Sequence, residues 1–413
     1  MWTKPELLAP AGDLEKLKVA VAYGADAVYM GGLKLGLRMK AKNFDAEQME
    51  EGIAFAHAHG VKVYITANVF ARGADFDGMA DYFRVLERMG ADALIISDPG
   101  VFDVAREAVP AMDIHISTQA NNTNPRSALF WHKLGAKRVV LARELSLEEV
   151  AAIHAQTEEK LALEAFAHGA MCISYSGRCL LSSYMTGRDA NQGACAQPCR
   201  WVYRLEESKR SGAYYDISED ERGTYIMNSK DLCMIGHLPA MLDAGIESFK
   251  IEGRMKTSYY VACTVRAYRR AIDDLFLSRE AYEKNIPSYL QEVSSCSHRP
   301  FTTAGYIGGE WHETQVYGSA SYERTHAFAA IVRAYEDATG VAVIEQRGKF
   351  SVGETLGVFR ANGADFEQTV TELWDEEGNP VDSAPHPQQR LRVKLDKPAA
   401  PFDLLRKESV EPE

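Results

Sequence analysis

The chain has 413 residues, 46% hydrophobic and 25% charged, a balance that excludes disordered and fibrous classes and implies two or three domains. Lys and Arg number 46 against 58 Asp and Glu, a net charge of −12, which argues against indiscriminate coating of nucleic acid or anionic membrane but leaves room for a local basic patch. No run approaches the ~20 consecutive apolar residues of a membrane helix. The start, Met1 to Glu6, lacks a basic head followed by an apolar run, so neither a membrane span nor a secretory signal is expected. Seven cysteines, an odd and clustered set, suit a reduced compartment better than a disulfide framework. A cytoplasmic location is expected.

In chain order, the first 170 residues repeat a short apolar run, a polar or glycine-bearing loop and a helical stretch. The runs are Glu6–Pro10, Ala27–Met30, Lys62–Ala67, Ala93–Ser97, Asp113–Ser117, Arg138–Ala142 and Leu161–Ala167, with an eighth at Ser248–Glu252. Near-continuous apolar strands alternating with helices imply parallel strands covered on both faces. Tyr23-Gly24-Ala25-Asp26-Ala27, Met89-Gly90-Ala91-Asp92-Ala93 and Leu134-Gly135-Ala136-Lys137-Arg138 reuse one helix-to-strand joint around a helix-ending glycine. Eight such units predict a (β/α)8 TIM-like barrel. An open doubly wound sheet is the alternative, but the dinucleotide fingerprint is missing.

The regularity breaks between Gly169 and Thr224, which reads as an insertion at the C-terminal end of the seventh strand, where barrel enzymes build their sites. Tyr225–Asn228 is a ninth candidate strand, and Tyr259–Phe276 a strong helix. The barrel unit is placed at residues 1–277, including the cysteine-rich insertion 169–224. A linker follows over 278–324, and a small C-terminal all-β domain, a β-barrel or a sandwich, over 325–413. There the runs Phe328–Tyr335, Gly340–Gln346, Thr355–Arg360, Gln368–Leu373 and Gln389–Leu395 are short and separated by turn residues.

Cys172, Cys179, Cys195 and Cys199 follow one another as C-x6-C-x15-C-x3-C. Buried thiolates repel, so four in one irregular segment call for a cation, and both zinc and an iron–sulfur cluster answer. Spacing alone leaves the two near even. Four unrelated small hydrophobes are the bland alternative.

The segment Glu164-Ala165-Phe166-Ala167-His168-Gly169-Ala170-Met171-Cys172, with Gly177-Arg178-Cys179-Leu180-Leu181-Ser182, resembles the signature of the collagenase-like peptidase family, U32. Supporting phrases run nearly end to end, among them Pro5-Glu6-Leu7-Leu8-Ala9-Pro10-Ala11-Gly12, Arg143-Glu144-Leu145-Ser146, Asn228-Ser229-Lys230-Asp231 and Lys250-Ile251-Glu252-Gly253-Arg254. The resemblance implies a [4Fe–4S] protein acting on RNA or on a quinone precursor, despite the peptidase name. Its tRNA-modifying members oxidise the wobble uridine of the anticodon to 5-hydroxyuridine, with prephenate as a required metabolite. RNA rather than DNA is then the polymer partner. By the same resemblance the ligands would be Cys172, Cys179, Cys195 and Cys199, with Cys233 as an alternative fourth. Cys263 and Cys296 read as a helix core residue and a linker thiol.

Two other classes remain open: a collagenase-type peptidase and a non-catalytic iron–sulfur accessory protein. Neither H-E-x-x-H nor G-x-S-x-G occurs, while His168 beside Cys172 leaves a Cys–His pair to be tested. The barrel places Tyr29, Asn68, Ser117, Gln119, Arg143, Glu144, His168, Lys250, Glu252 and Arg254 around one mouth. Arg143, His168 and Arg254 are the candidate catalytic residues. Arg143 and Arg254 could receive a small dicarboxylate such as prephenate through bidentate hydrogen bonds. Lys250, Glu252 and Arg254 fall on one side of their strand and could instead neutralise one another. Two locally basic stretches are candidate phosphate contacts: Lys34, Arg38, Lys40 and Lys42, and Lys256, Arg266, Arg269 and Arg270. A solvated helix face explains the second equally well. Tyr175, Tyr184, Trp201 and Tyr203 could stack an extruded base.

Overall fold

The computed structural model describes residues 2–32, 35, 36, 43–157, 160–172, 174–201, 218–220, 223–225, 229–308, 314 and 322–409. Eight parallel strands close into a barrel: Glu6–Pro10, Ala27–Met30, Lys62–Ala67, Ala93–Ile96, Asp113–Ile116, Arg138–Val140, Ala162–Ala170 and Ser248–Ile251. Closure comes from the eighth strand, which pairs with the first (Glu6 opposite Ser248) and with the seventh (Glu164 opposite Ser248). Around it lie helices α1 (Leu14–Ala22), α2 (Ala46–Ala58), α3 (Met79–Met89), α4 (Pro99–Ala108), α5 (Pro125–Leu134) and α6 (Leu147–Thr157). Most start on a short acid or amide: the Asp13, Asp45, Asp98 and Asn124 side chains each accept a first-turn amide, as N-caps do.

The repeated joint has a physical basis. Gly24, Gly90 and Gly135 adopt φ between 90° and 101°, ending each helix in the left-handed conformation. The aspartate two residues on reaches the preceding strand: Asp26 accepts the Leu7 N–H (2.8 Å) and Asp92 the Val63 N–H (2.7 Å). The same five-residue phrase therefore turns the chain and satisfies an amide at a strand entrance.

The seventh strand runs to Ala170, beyond the barrel wall, and its extension pairs antiparallel with Asp231–Cys233. Phe301–Thr302 extends that edge. The expected strand at Tyr225–Asn228 lies mostly outside the described residues; Tyr225 ends a small hairpin with Ser218–Asp220. Asp231–Cys233, at three residues, is too short to stand out by periodicity. Within the insertion, α7 (Leu181–Thr186) is the one α-helix among the described residues.

The expected linker is in part helical. After α8 (Leu238–Asp243) and α9 (Ser258–Leu277), α10 covers Arg279–Val293 and packs along α9. Ser278 caps its N-terminus and Pro287 is accommodated inside it. Tyr282 and Tyr289 on α10 are fully buried, so residues 279–293 belong to the barrel unit's core. No described helix is long and apolar enough to cross a membrane.

The C-terminal unit is all β. Seven antiparallel strands lie in the order 366–369, 355–359, 404–408, 326–336, 341–346, 390–394 and 373–374. No ladder joins the two end strands, but only residues 370–372 separate them in the chain and Gln368 Nε2 donates to the Lys394 carbonyl (2.8 Å) beside the other end, so the sheet curls round on itself. It docks on the first unit through Phe359, Ile331 and Leu404, which share the main core. The Tyr23 hydroxyl donates to the Phe359 carbonyl (2.9 Å). Glu15 on α1 receives both Arg333 and Arg347.

Candidate active site at the barrel mouth

Inside the barrel the strands divide into two halves. Leu8, Ala27, Tyr29, Tyr64, Ala93 and Ile95 form an apolar cluster. Against them runs a chain of alternating charge. Arg138 bonds Glu6 (2.5 Å) and Glu164 (3.1 Å), and Glu164 accepts from Lys250 (2.6 Å). Tyr64 and Ser248 donate to Glu6 (2.6 and 2.9 Å). Burial alone would raise both carboxyl pKa values. It is outweighed for Glu6 by Arg138, and for Glu164 by Lys250 and Arg138, so both fall below the ordinary glutamate value. Two anions and two cations, each hydrogen-bonded, meet the condition for burying charge. Lys250 is thus neutralised by Glu164 from a neighbouring strand rather than by Glu252.

Lys250 is also the upper end of this chain. Its ammonium lies 4.6 Å from the Tyr29 ring centre and 5.7 Å from that of Phe166, and it lines a cavity of about 70 Å³ at the C-terminal mouth. Thr66, Asn68, Ser117, Gln119, Glu252 and Arg254 complete the polar part of the wall. The expected alternation holds here, with Lys250, Glu252 and Arg254 all facing the cavity. Arg254 is 4% exposed and donates to Asn43 (2.9 Å) and Thr66 (3.3 Å). Gly31 makes room for it, since a Cβ there would lie 2.3 Å from the guanidinium.

Arg143 is buried but is not part of that wall. Its two terminal nitrogens donate to the Ala170 carbonyl (3.0 Å) and Ser176 Oγ (3.1 Å). Those bonds straddle Cys172 and tie the insertion to the sixth strand. Burial works against its charge, and neighbouring Cys172, Glu144 and Glu252 more than compensate, leaving its pKa raised. The expected two-arginine clamp on one dicarboxylate is therefore not assembled. The cavity, roughly half the ~150 Å³ that holds a benzene ring, admits a single carboxylate or a few waters.

His168 is not at the mouth. The seventh and eighth strands slip register here: Phe166 faces Lys250, but His168 faces Ile251. The extra residue is a bulge that turns the following side chain to the other face. His168 thus points outward among Tyr260, Tyr268 and Phe301. It is 1% exposed, and burial, with His298 and Lys256 nearby, lowers its pKa to about 3. A general base paired with Cys172 is ruled out for this side chain.

The cysteine segment lies over the mouth. Arg72 pairs with Asp189 (2.7 Å), and a Cβ at Gly177 would come 2.5 Å from the Gln119 carbonyl. Cys172 and Cys195 are exposed, while Cys179 and Cys199 are partly buried. The Gln197 amide donates to Cys195 Sγ (3.3 Å). Among the described residues no three His, Cys, Asp or Glu side chains are gathered as a metal site. Cys233 sits apart in the core, its thiol pushed up to about 11 by burial. Cys263 and Cys296 are buried as well.

The candidate phosphate contacts fare differently. Lys34, Arg38, Lys40 and Lys42 lie outside the described residues. Lys256 donates to the Ser297 carbonyl and covers the Tyr322 ring at 4.1 Å. Arg266 bonds Glu292 (2.9 Å) and Asp365 (2.7 Å), Arg269 bonds Asp26 and Asp273 (both 2.9 Å), and Arg270 bonds Glu292 (3.0 Å). These arginines are engaged within the fold: Arg266 ties α9 to α10 and to the C-terminal sheet, Arg269 ties α9 to the joint after α1, and Arg270, still 45% exposed, ties it to α10. Thr66 and Phe166 line the cavity without having been singled out. Their strand parity with Tyr64 and Glu164 was the available signal. Asn43, which receives Arg254, carries none.

Residues 12–316 match peptidase family U32, and residues 324–406 match the C-terminal domain of that family. The chain is a member of peptidase family U32. It is 41% identical to tRNA hydroxylation protein P1 of Bacillus subtilis, over 98% of this chain and 95% of that protein. It is 36% identical to the 23S rRNA 5-hydroxycytidine C2501 synthase of Escherichia coli, over 66% of this chain and 40% of that one. A collagenase of Porphyromonas gingivalis is 33% identical over 89% of each chain.

Proposed function

We propose that this U32 member is a cytoplasmic tRNA-modifying enzyme that hydroxylates the wobble uridine to 5-hydroxyuridine. The observation that carries the reading is a four-cysteine segment laid over a polar barrel mouth, in a chain that matches a tRNA hydroxylation protein over nearly its whole length. The rRNA relative supports pyrimidine C5 as the position attacked, since its name specifies a 5-hydroxycytidine. The collagenase relative favours a peptidase, but the Cys–His pair that reading needs is broken by the outward turn of His168.

The donor chemistry fits a [4Fe–4S] cluster. Four thiols lie within one segment of the chain, Cys172 beside the buried Arg143 guanidinium and Cys195 Sγ accepting a backbone amide. Cys172, Cys179, Cys195 and Cys199 would hold it, and when bound it supplies one-electron redox chemistry. Arg143 holds the Cys172 turn against the sixth strand. Lys250 and Arg254 present positive charge to the cavity, which suits one carboxylate of prephenate. Glu164 accepts a hydrogen bond from the Lys250 Nζ (2.6 Å) and so fixes that side chain at the cavity.

The test is nucleoside analysis of bulk tRNA from a host strain lacking its own hydroxylases and complemented with this chain. 5-Hydroxyuridine derivatives return if the reading holds. Their absence, with the protein expressed and iron-loaded, overturns it.

A further inference from the structure

The cysteine segment exposes side chains that a soluble surface normally hides. Tyr184 is 89% exposed, Leu180 68% and Tyr175 51%. Their backbone placement is ordered. The Tyr184 N–H donates to the Leu180 carbonyl (2.9 Å), so the two lie one helical turn apart on one face. The Arg178 N–H donates to the Tyr175 carbonyl (3.0 Å) across a turn whose third residue is Gly177, at φ 76°. That turn packs on Gln119, a residue of the cavity wall, where a Cβ on Gly177 would clash. Arg178 is exposed and has no ion pair among the described residues, in a chain of net charge −12.

We infer that Tyr175, Arg178, Leu180 and Tyr184 form a stacking platform for single-stranded RNA bases at the rim of the barrel mouth; this rests on the tRNA-modifying reading. Three features select RNA. Two of the exposed side chains, Tyr175 and Tyr184, are aromatic rings, whose π faces receive any base. An uncommitted guanidinium stands among them and can meet a phosphate or stack on a base. The turn at Gly177 also abuts the cavity wall at Gln119, so bases resting on the platform would lie beside the barrel mouth.

The experiment uses the full chain, purified without oxygen, and an unmodified tRNA transcript, with filter binding between about 50 and 200 mM salt. Tyr184→Ala and Tyr175→Ala should each weaken binding by about 5- to 150-fold, the range for one stacked base, with the salt slope unchanged. Tyr184→Phe keeps the ring and should bind within about twofold of the parent. Arg178→Gln should reduce the log–log slope by about one. Wild-type affinity in both alanine variants, while the parent chain hydroxylates tRNA, overturns the platform and leaves the enzyme reading intact. A parent chain that neither binds nor hydroxylates tRNA removes the enzyme reading and the platform with it. Conversion of a dimer to a monomer by Tyr184→Ala, with tRNA affinity retained, assigns the surface to a second copy of the chain and also overturns the proposal.

Discussion

The interior and the rim of the barrel use polar groups in opposite ways. In the interior, Glu6, Arg138, Glu164 and Lys250 alternate in sign, lie on regular strands and satisfy one another. At the rim, Cys172 and Cys195 are exposed on irregular backbone, and Arg178 and Tyr184 face solvent. Regular strands fix side chains to within a fraction of an ångström, which buried charge requires. Loops are where a chain can afford groups whose partners come from outside. The interior pairs its charges within itself, while the rim leaves side chains exposed. Lys250 belongs to both, anchored below by Glu164 and facing the cavity above.

The sharpest way to break this comparison is through the cysteines, because the rim and core sets share one side chain. Cys172→Ala should abolish iron binding, which is about four irons per chain for a four-thiolate cluster. Cys263→Ala, in the core of α9, should leave it intact. Iron measured on anaerobically reconstituted protein decides the matter, and equal retention in both variants would remove the rim from cofactor binding. The next effect is on activity. Arg254→Lys keeps the charge but loses the planar fork on Asn43 and Thr66. 5-Hydroxyuridine should fall by about 10²-fold, the cost of misplacing a positioning group, with iron content unchanged. Full modification would take Arg254 out of the mechanism.

How much of this was readable beforehand follows the same division. All eight strands could be placed because each is an apolar run, three of them entered through a repeated joint whose Gly, and in two cases Asp, have fixed tasks. The facing of Lys250, Glu252 and Arg254 followed from a period of two. His168 was misplaced because one extra residue inverts that period, and nothing in Phe166-Ala167-His168 announces a bulge. Arg266, Arg269 and Arg270 look like a basic patch in the chain because their partners, among them Glu292, Asp365 and Asp26, are distant in sequence. Glu164 and Glu6 could not be matched to Arg138 for the same reason. Pairings that cross the barrel are properties of closure.

Among stability effects, the interior chain should give the largest. Glu164→Gln leaves Lys250 and Arg138 as buried cations short of one anion and should cost about 3–5 kcal/mol. The double variant Glu164→Gln with Lys250→Met removes charge from both sides and should recover part of that loss. Urea midpoints of the four combinations measure the coupling. Additive losses would mean that the two side chains do not act as a pair. Acid comes next. The fold holds His168 at about 3, below the ordinary value of 6.5, so below pH 6.5 the unfolded chain binds a proton that the native chain refuses. Stability is level above pH 6.5 and declines from there toward pH 3, with His298, lowered to about 4 by burial, adding to the slope. His168→Phe should reduce the slope of log unfolding constant against pH by up to about one between pH 6.5 and 5. An unchanged slope would show that His168 titrates normally.

The smallest expected effect separates the arginines of α9 from RNA binding. Arg270 is 45% exposed and shares Glu292 with Arg266, so Arg270→Gln removes one partner of a carboxylate that keeps the other. A partly exposed ion pair is worth about 0–1 kcal/mol, and a fall in unfolding free energy of that size, read from urea midpoints, is the whole stability effect expected. If Arg270 contacted phosphate, the same variant would also lower the salt slope of tRNA binding by about one. Its engagement with Glu292 predicts an unchanged slope, in contrast to Arg178→Gln at the rim. Equal slope losses from the two variants would place both arginines on the RNA and erase the distinction between a charge committed inside the fold and one left for a ligand.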